Sequence, residues 1–242
     1  RQTGSTRLCL GGSLAGDEHL LARALRHSSV TEIHVPPAVD ADGAALGAAL
    51  HLWHAALGHP RAFVMDHAFW GNTMTAADAE AAASASGLTA VACDEPGLVA
   101  RAAEILASGG VIGWAQEAAE WGPRALGHRS VLASVTHPAA RARLRAVALA
   151  CGDDARVVSL AVPAPFLGDI AEFDRAGDAT VARFGALAMR LRPTEDGPLA
   201  PDVAAGGMLP VQAIQAETNP RLFALAERLG RDVGVPAVLQ IP

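Results

Sequence analysis

The 242-residue sequence contains no lysine and no tyrosine. Without lysine there is no amine to act as nucleophile, Schiff base or phosphate clamp, so arginine takes every cationic role. Cysteine is scarce. Cys9, Cys93 and Cys151 are odd in number, far apart and outside any metal-ligand spacing, a pattern that predicts buried free thiols in a reducing compartment, the cytoplasm. Long apolar runs are missing too. Asp, Glu, Arg or Gly interrupts each run before the ~20 residues of a membrane helix, so no membrane partner is expected. No signal-peptide pattern is present, and a chain that begins at Arg1 lacks its natural start. The net charge is −6, and the basic residues are scattered except at Arg141, Arg143 and Arg145. That distribution offers nucleic acid no electrostatic footprint.

Apolar residues make up 51% of the chain, enough to bury one generous core or two modest ones. The richness in alanine, glycine and arginine has the bias of a GC-rich genome. Arg7 to Gly12 reads as a strand ending in a tight glycine turn, Gly11-Gly12, whose amides are suited to cradle an anion. Residues 17–27 have helical spacing, Glu32 to Val35 reads as a second strand stopped by Pro36-Pro37, and 44–57 as a second helix. A connecting arm rich in proline, histidine and aromatics then runs to about Thr73. Further on, the pattern predicts strands at 88–92, 111–114, 157–162, 186–191 and 237–239, and helices at 95–108, 138–150 and 217–230. The class is α/β or α+β. Two strands and two helices at the start cannot cover a parallel sheet on both faces, so something else must complete that unit.

The most specific string is Glu120-Trp-Gly-Pro-Arg-Ala-Leu-Gly-His-Arg-Ser130. It resembles the Glu-Phe-Gly-Pro-Arg-Ala-Leu-Gly-Asn-Arg-Ser signature of the carboxy-terminal domain of NodU/CmcH-type O-carbamoyltransferases. Weaker landmarks of that family stand around it in the same order. They are the Gly11-Gly12 strand end, Pro36-Pro37 leading to Asp42-Gly43, the run 111–114, Gln212, Asn219-Pro220 and Gly234 to Pro236. The resemblance implies a partial actin/Hsp70-like domain followed by a YrdC-like α/β domain, with residues 1–75 the remnant of the first, 76–87 a linker and 88–242 the second. In that family the YrdC-like domain makes a carbamoyl-adenylate from carbamoyl phosphate and ATP, and the actin-like domain, carrying a metal, passes the carbamoyl group to a hydroxyl. ATP and a divalent metal therefore enter by resemblance alone.

Arg124 and Arg129, five residues apart around a Gly-Pro turn, offer forked donors to phosphate or carboxylate oxygens, with Gly11, Gly12 and Arg156 as further anion contacts. Glu120, His128 and Ser130 would support them. The alternative is an ordinary surface turn in which the two arginines pair with Glu117 or Glu120. Asp40 and Asp42 flank the position of the family's metal-binding aspartate, which aligns with Ala41. His51, His54, His59 and His67 fall close together, but solvated histidines are the preferred reading without a carboxylate or thiolate at ligand spacing.

Several family residues are replaced. A basic stretch after the signature corresponds here to 151–161, where Asp153 and Asp154 stand in place of cations, a reversal of roughly several kcal/mol at low dielectric. The family's Gln-Gly-Arg is Gln116-Glu117-Ala118, its Asp-Gly-Thr-x-Arg is Gly206 to Pro210, and its terminal Asn-Thr-Ser-Phe-Asn is replaced by Gln240-Ile241-Pro242. The expected function is a carbamoyltransferase-like subunit of bacterial natural-product biosynthesis, without an intact adenylation site and working on a small-molecule substrate. A second chain would supply the missing actin-like half, giving a heterodimer or heterotetramer. A non-catalytic scaffold and an active O-carbamoyltransferase with a rearranged site are the alternatives; no residue is assigned a catalytic role.

Overall fold

Two short strands, β1 (Arg7–Cys9) and β2 (Glu32–His34), pair in parallel through a crossover helix, α1 (Glu18–Arg26). In this computed structural model, residues 3–26, 28–152, 158–172, 181–192, 199, 203 and 207–242 are described. Asp17 caps α1, its Oδ1 accepting from the Leu20 amide at 2.8 Å. The helix buries Leu21, Ala22 and Leu25, and these join one hydrophobic core with residues of the larger sheet.

That sheet has six strands. In spatial order they are β3 (Val111–Ala115), β4 (Arg129–Ser134), β8 (Val238–Ile241), β5 (Ser159–Pro163), β7 (Met208–Ile214) and β6 (Ala188–Arg190). Only β5 and β7 run parallel; the other neighbours are antiparallel. The chain is thus a mixed α/β protein with, among the described residues, seven α-helices.

The central strands are covered on both faces, and their alternation sorts the core. Leu160, Val162, Val211, Leu239 and Ile241 point towards α1 and α5 (Ala140–Ala150). Ala161, Ile214 and Val238 point the other way, towards α4 (Glu95–Ala107) and α7 (Pro220–Val233). Full burial of a side chain such as Leu225 or Leu239 contributes about 1.5–3 kcal/mol.

Local chemistry sets these helix ends. Asp94 caps α4 by accepting from the Gly97 amide at 2.9 Å, with Pro96 in the first turn. Asn219 and Pro220 do the same for α7, which stops at Gly234 in the left-handed region.

Several expectations change. Residues 88–92 are not a strand. The 76–87 stretch, read as linker, carries α3 (Ala76–Ala85), nucleated by a reciprocal capping box: Asp78 accepts from the Thr75 amide at 2.9 Å, and Thr75 Oγ1 accepts from the Asp78 amide at 3.2 Å. The strands β4 and β7 were not expected, because Arg129 and Pro210 obscure their alternation. The helix α2 begins at Ala41 and runs to His51, then continues as a π-helical turn over Leu52–Ala56. All three cysteines are free and exposed rather than buried. A short helix, α6 (Leu167–Ile170), follows β5. No helix among the described residues is long and apolar enough to cross a membrane.

The amino-terminal unit has two unlike sides. On one, Arg124 donates from Nε to Glu18 Oε1 at 2.8 Å, and both side chains are only about a tenth exposed. On the other, β1 is exposed along its length and α2 buries no residue. The joint therefore rests on a buried ion pair beside apolar packing.

Two outcomes follow from this packing. Leu225→Ala should cost about 2–5 kcal/mol in urea denaturation, while Leu14→Ala, 75% exposed, should stay within about 0.5 kcal/mol. Glu18→Ala leaves the Arg124 cation buried without its partner and should cost about 3 kcal/mol. Replacing Glu18 and Arg124 together by apolar residues should recover much of that loss.

Candidate functional site

The signature string folds into the loop between β3 and β4, and almost every polar group in it is bound internally. Glu120 Oε1 accepts from the amides of Leu126 at 3.0 Å and His128 at 3.3 Å, and from Ser130 Oγ at 3.4 Å. Ser130 Oγ in turn accepts from the Gly127 amide at 3.0 Å. From below, Gln240 Nε2 donates to the Ala125 carbonyl at 2.9 Å and Gln212 Nε2 to the Leu126 carbonyl at 3.0 Å. Asn219 Nδ2 donates to the Leu126 carbonyl at 3.1 Å. A buried amide or carbonyl without such partners would cost about 1–3 kcal/mol, so these side chains decide the loop's shape.

Two glycines are required by contact. At Gly122, φ is 112° and an added Cβ would lie 2.6 Å from the Pro37 carbonyl oxygen; at Gly127, φ is 84° and it would lie 2.3 Å from Leu222.

The candidate anion ligands fall as follows. Arg124 reaches across to Glu18 and, through Nη1, to the Pro37 carbonyl at 3.3 Å. Arg129 spends both terminal nitrogens on backbone carbonyls: Gln116 at 2.6 Å, His128 at 2.8 Å, Glu117 at 2.9 Å and Asn72 at 3.2 Å. Neither pairs with a carboxylate of its own loop. Gly12, with φ of 90°, donates its amide to the Val39 carbonyl at 2.8 Å. Gly11 adjoins it, some way in sequence and role from the signature loop. Arg156, with Asp153 and Asp154, lies outside the described residues.

Asp40 and Asp42 stand exposed at the start of α2. Hard divalent cations take six or more oxygens, and no group of three or more His, Cys, Asp or Glu side chains among the described residues is placed to hold a metal. This donor set does not fit a metal. His51 and His59 are exposed, and His54 Nδ1 bonds the His59 carbonyl.

The arm is more than a connection. Gly71 donates to the Ala119 carbonyl at 2.8 Å, Ala119 to Asn72 at 3.0 Å, and Met74 to Glu117 at 3.0 Å, which zips the arm along the signature's leading edge. Phe69 stacks on His128 with ring centres 3.5 Å apart and planes 8° apart. Trp70 lies over Trp121 at 6.0 Å.

Beside the loop, between α4 and α7, is a cavity of about 640 Å³. Gln116, Glu117, His128 and Asn219 line its inner wall, with Glu95 and Arg221 nearer solvent. Glu95 and Arg221 form a forked ion pair through Nε at 2.8 and 3.1 Å and through a further bond from Nη2. Arg221 holds the Glu95 carboxyl below the usual carboxylate range. Gln116 Nε2 donates to Asn219 Oδ1 at 2.7 Å.

Glu117 stands at φ 41°, a conformation unusual for a residue with a Cβ and one that costs about 1–3 kcal/mol. Its carbonyl is held by Arg129 and by the Met74 amide. The sequence did not single out Gln116, Glu117, Gln240 or Glu18 as site residues. The available signal was a polar side chain set in an apolar strand, as in Val-Leu-Gln-Ile at 238–241.

Comparison with known proteins agrees with this geometry. Residues 103–241 match the family model described as "Carbamoyltransferase C-terminus". The chain is 31% identical to the nodulation protein NolO of Bradyrhizobium diazoefficiens over 245 residues, covering 99% of this chain and 43% of NolO. It is 37% identical to the nodulation protein NolNO of Sinorhizobium fredii over 150 residues, covering 60% of this chain and 22% of that protein. An uncharacterized Synechocystis protein is 34% identical over 137 residues, covering 54% of this chain and 22% of its own length. The chain thus spans less than half the length of these relatives. With the signature loop, its supporting amides and a family match over most of the sheet, the chain belongs to the carbamoyltransferase family and corresponds to the carboxy-terminal part of its NodU/CmcH-type members.

Proposed function

We propose that this chain is a carbamoyltransferase-type subunit of a heteromeric bacterial enzyme of natural-product biosynthesis, and that it supports or completes the active site of a second chain instead of making a carbamoyl-adenylate itself. On this reading residues 1–75 end an actin-like domain, 88–242 form a YrdC-like domain, and the partner supplies the rest of the first. The observation that carries it is α2. Its residues from Ala44 onward are almost all apolar, yet none is buried, and the π-helical turn after it exposes Leu52 and Trp53. An apolar helix that buries none of its residues is suited to a protein surface laid against it. The length of NolO that this chain does not match is a source of suitable size.

A scaffold role is favoured by a separate observation. Arg124 and Arg129 are both engaged with internal acceptors, so on this reading the signature serves architecture instead of anion binding. The small-molecule substrate would then be gripped mainly by the partner.

The test is co-expression with a chain corresponding to the unmatched part of NolO. Co-elution in size exclusion is expected, and Trp53→Asp should weaken association by roughly tenfold or more, given the area a tryptophan buries at an interface, with the circular dichroism of the single chain unchanged. A folded monomer that never associates overturns the reading. In the same preparation, carbamoyl phosphate-dependent ATP cleavage should be absent from this chain alone. Robust cleavage by the single chain would establish instead an active O-carbamoyltransferase with a rearranged site.

A further inference from the structure

The two-stranded sheet of the amino-terminal unit is closed at one edge and open at the other. Leu8 and Ile33 are paired neighbours, so their side chains share one face, yet Ile33 is 5% exposed and Leu8 38%. Ile33 belongs to the main core, and Leu10, just beyond β1, packs against that core too. On this face, cover is complete at β2 and runs out at β1.

The backbone shows the same asymmetry. Leu10 donates its amide to the His34 carbonyl at 2.9 Å, and the Thr6 carbonyl accepts from the Glu32 amide at 3.3 Å. Even-numbered residues of β1 thus serve β2, while Arg7 and Cys9 turn their N–H and C=O groups to the outer edge. At Arg7 that pair is held locally, because Ser5 Oγ accepts from the amide at 3.2 Å and donates to the carbonyl at 3.1 Å. Cys9 is exposed and has no such clip; among the described residues β2 is the only strand beside β1. The outward-facing residue of β2 is Ile33, already buried, so β1 is the open edge. Such an edge takes an extended segment through main-chain hydrogen bonds.

We propose that β1 accepts a strand from the second chain, hydrogen-bonded to the Cys9 backbone and laying an apolar side chain beside Leu8. The proposal rests on the heteromeric reading above and adds to it where and how the two chains join. A partner is the occupant because NolO extends well beyond the 43% of its length that this chain matches. The exposed β1 and the uncovered α2 also belong to one unit, so a single partner body meets both. A second copy of this chain would bring only the same short edge, with one open residue on each side.

The experiment compares the single chain with its complex with a co-expressed chain corresponding to the unmatched part of NolO. Exchange of the Cys9 amide, followed by NMR, should be fast in the single chain and should slow by roughly tenfold or more in the complex. Cys9→Pro removes the outward N–H and leaves untouched the Leu8 and Leu10 amides that serve β2. It should weaken association by roughly tenfold or more, whereas Cys9→Ala, which keeps the amide, should not. Equal association of the two variants, with the Cys9 amide of the unsubstituted chain still exchanging freely in the complex, overturns strand addition and leaves the heteromeric reading standing. No association by the unsubstituted chain overturns both. The exchange measurement needs no variant, so it decides even where Cys9→Pro fails to fold.

Discussion

The carbonyl oxygens of Ala125 and Leu126 are the points on which the rest of the structure hangs. They lie where the signature loop crosses the sheet, and three buried amide side chains from three different elements converge on them: Gln240 from β8, Gln212 from β7 and Asn219 from the start of α7. Gln240 also donates to Gln212 at 2.7 Å, so the two strands are coupled through their side chains although β5 separates them. Such a network is stable only when nearly complete. It explains why polar residues occupy strand positions whose neighbours on both sides are apolar.

From that fixed loop the amino-terminal unit is positioned. Gly122 allows the Pro37 backbone to approach, and Arg124 reaches over it to Glu18, so the loop clamps the unit from two sides. The arm is clamped by Arg129, whose four carbonyl acceptors come from the arm, the signature's leading edge and the loop itself. A planar guanidinium can bridge several carbonyls in this way; a lysine ammonium would not hold the same fork. The same contacts preserve a strained backbone at Glu117. Arg129 and the Met74 amide both bind the Glu117 carbonyl and hold it there.

How much of this was legible follows from range. Helices with periodic apolar faces and clear caps, such as α1, α4 and α7, were readable from neighbours in sequence, as were β1, β2, β3 and β8. The helix α3 is obscured by its run of alanines, although its Thr75 and Asp78 capping box is equally local. The strand β4 was hidden for another reason. It begins inside the signature at Arg129, and only its long-range pairing with β3 and β8 makes it a strand. The partners of Arg124 and Arg129 were not readable at all, since Glu18 is 106 residues away and the others are backbone atoms. Gln212 was visible as a landmark, but its role, a donor to one carbonyl, depends on the fold.

A chain that uses arginine for every cation commits its guanidinium groups to forks. Arg221 is forked onto Glu95 and Arg228 onto Asp232, while Arg124 divides its donors between Glu18 and the Pro37 carbonyl and Arg129 spends its own on the backbone. The three carboxylate pairings offset positive charge that a phosphate would meet, and Arg129 commits its donors to neutral carbonyls. The cavity wall accordingly sets neutral polar groups, Gln116 and Asn219, beside three carboxylates and three guanidinium groups, of which Arg221 and Arg228 are already paired. An anion approaching this surface therefore competes with carboxylates already seated on Arg221 and Arg228.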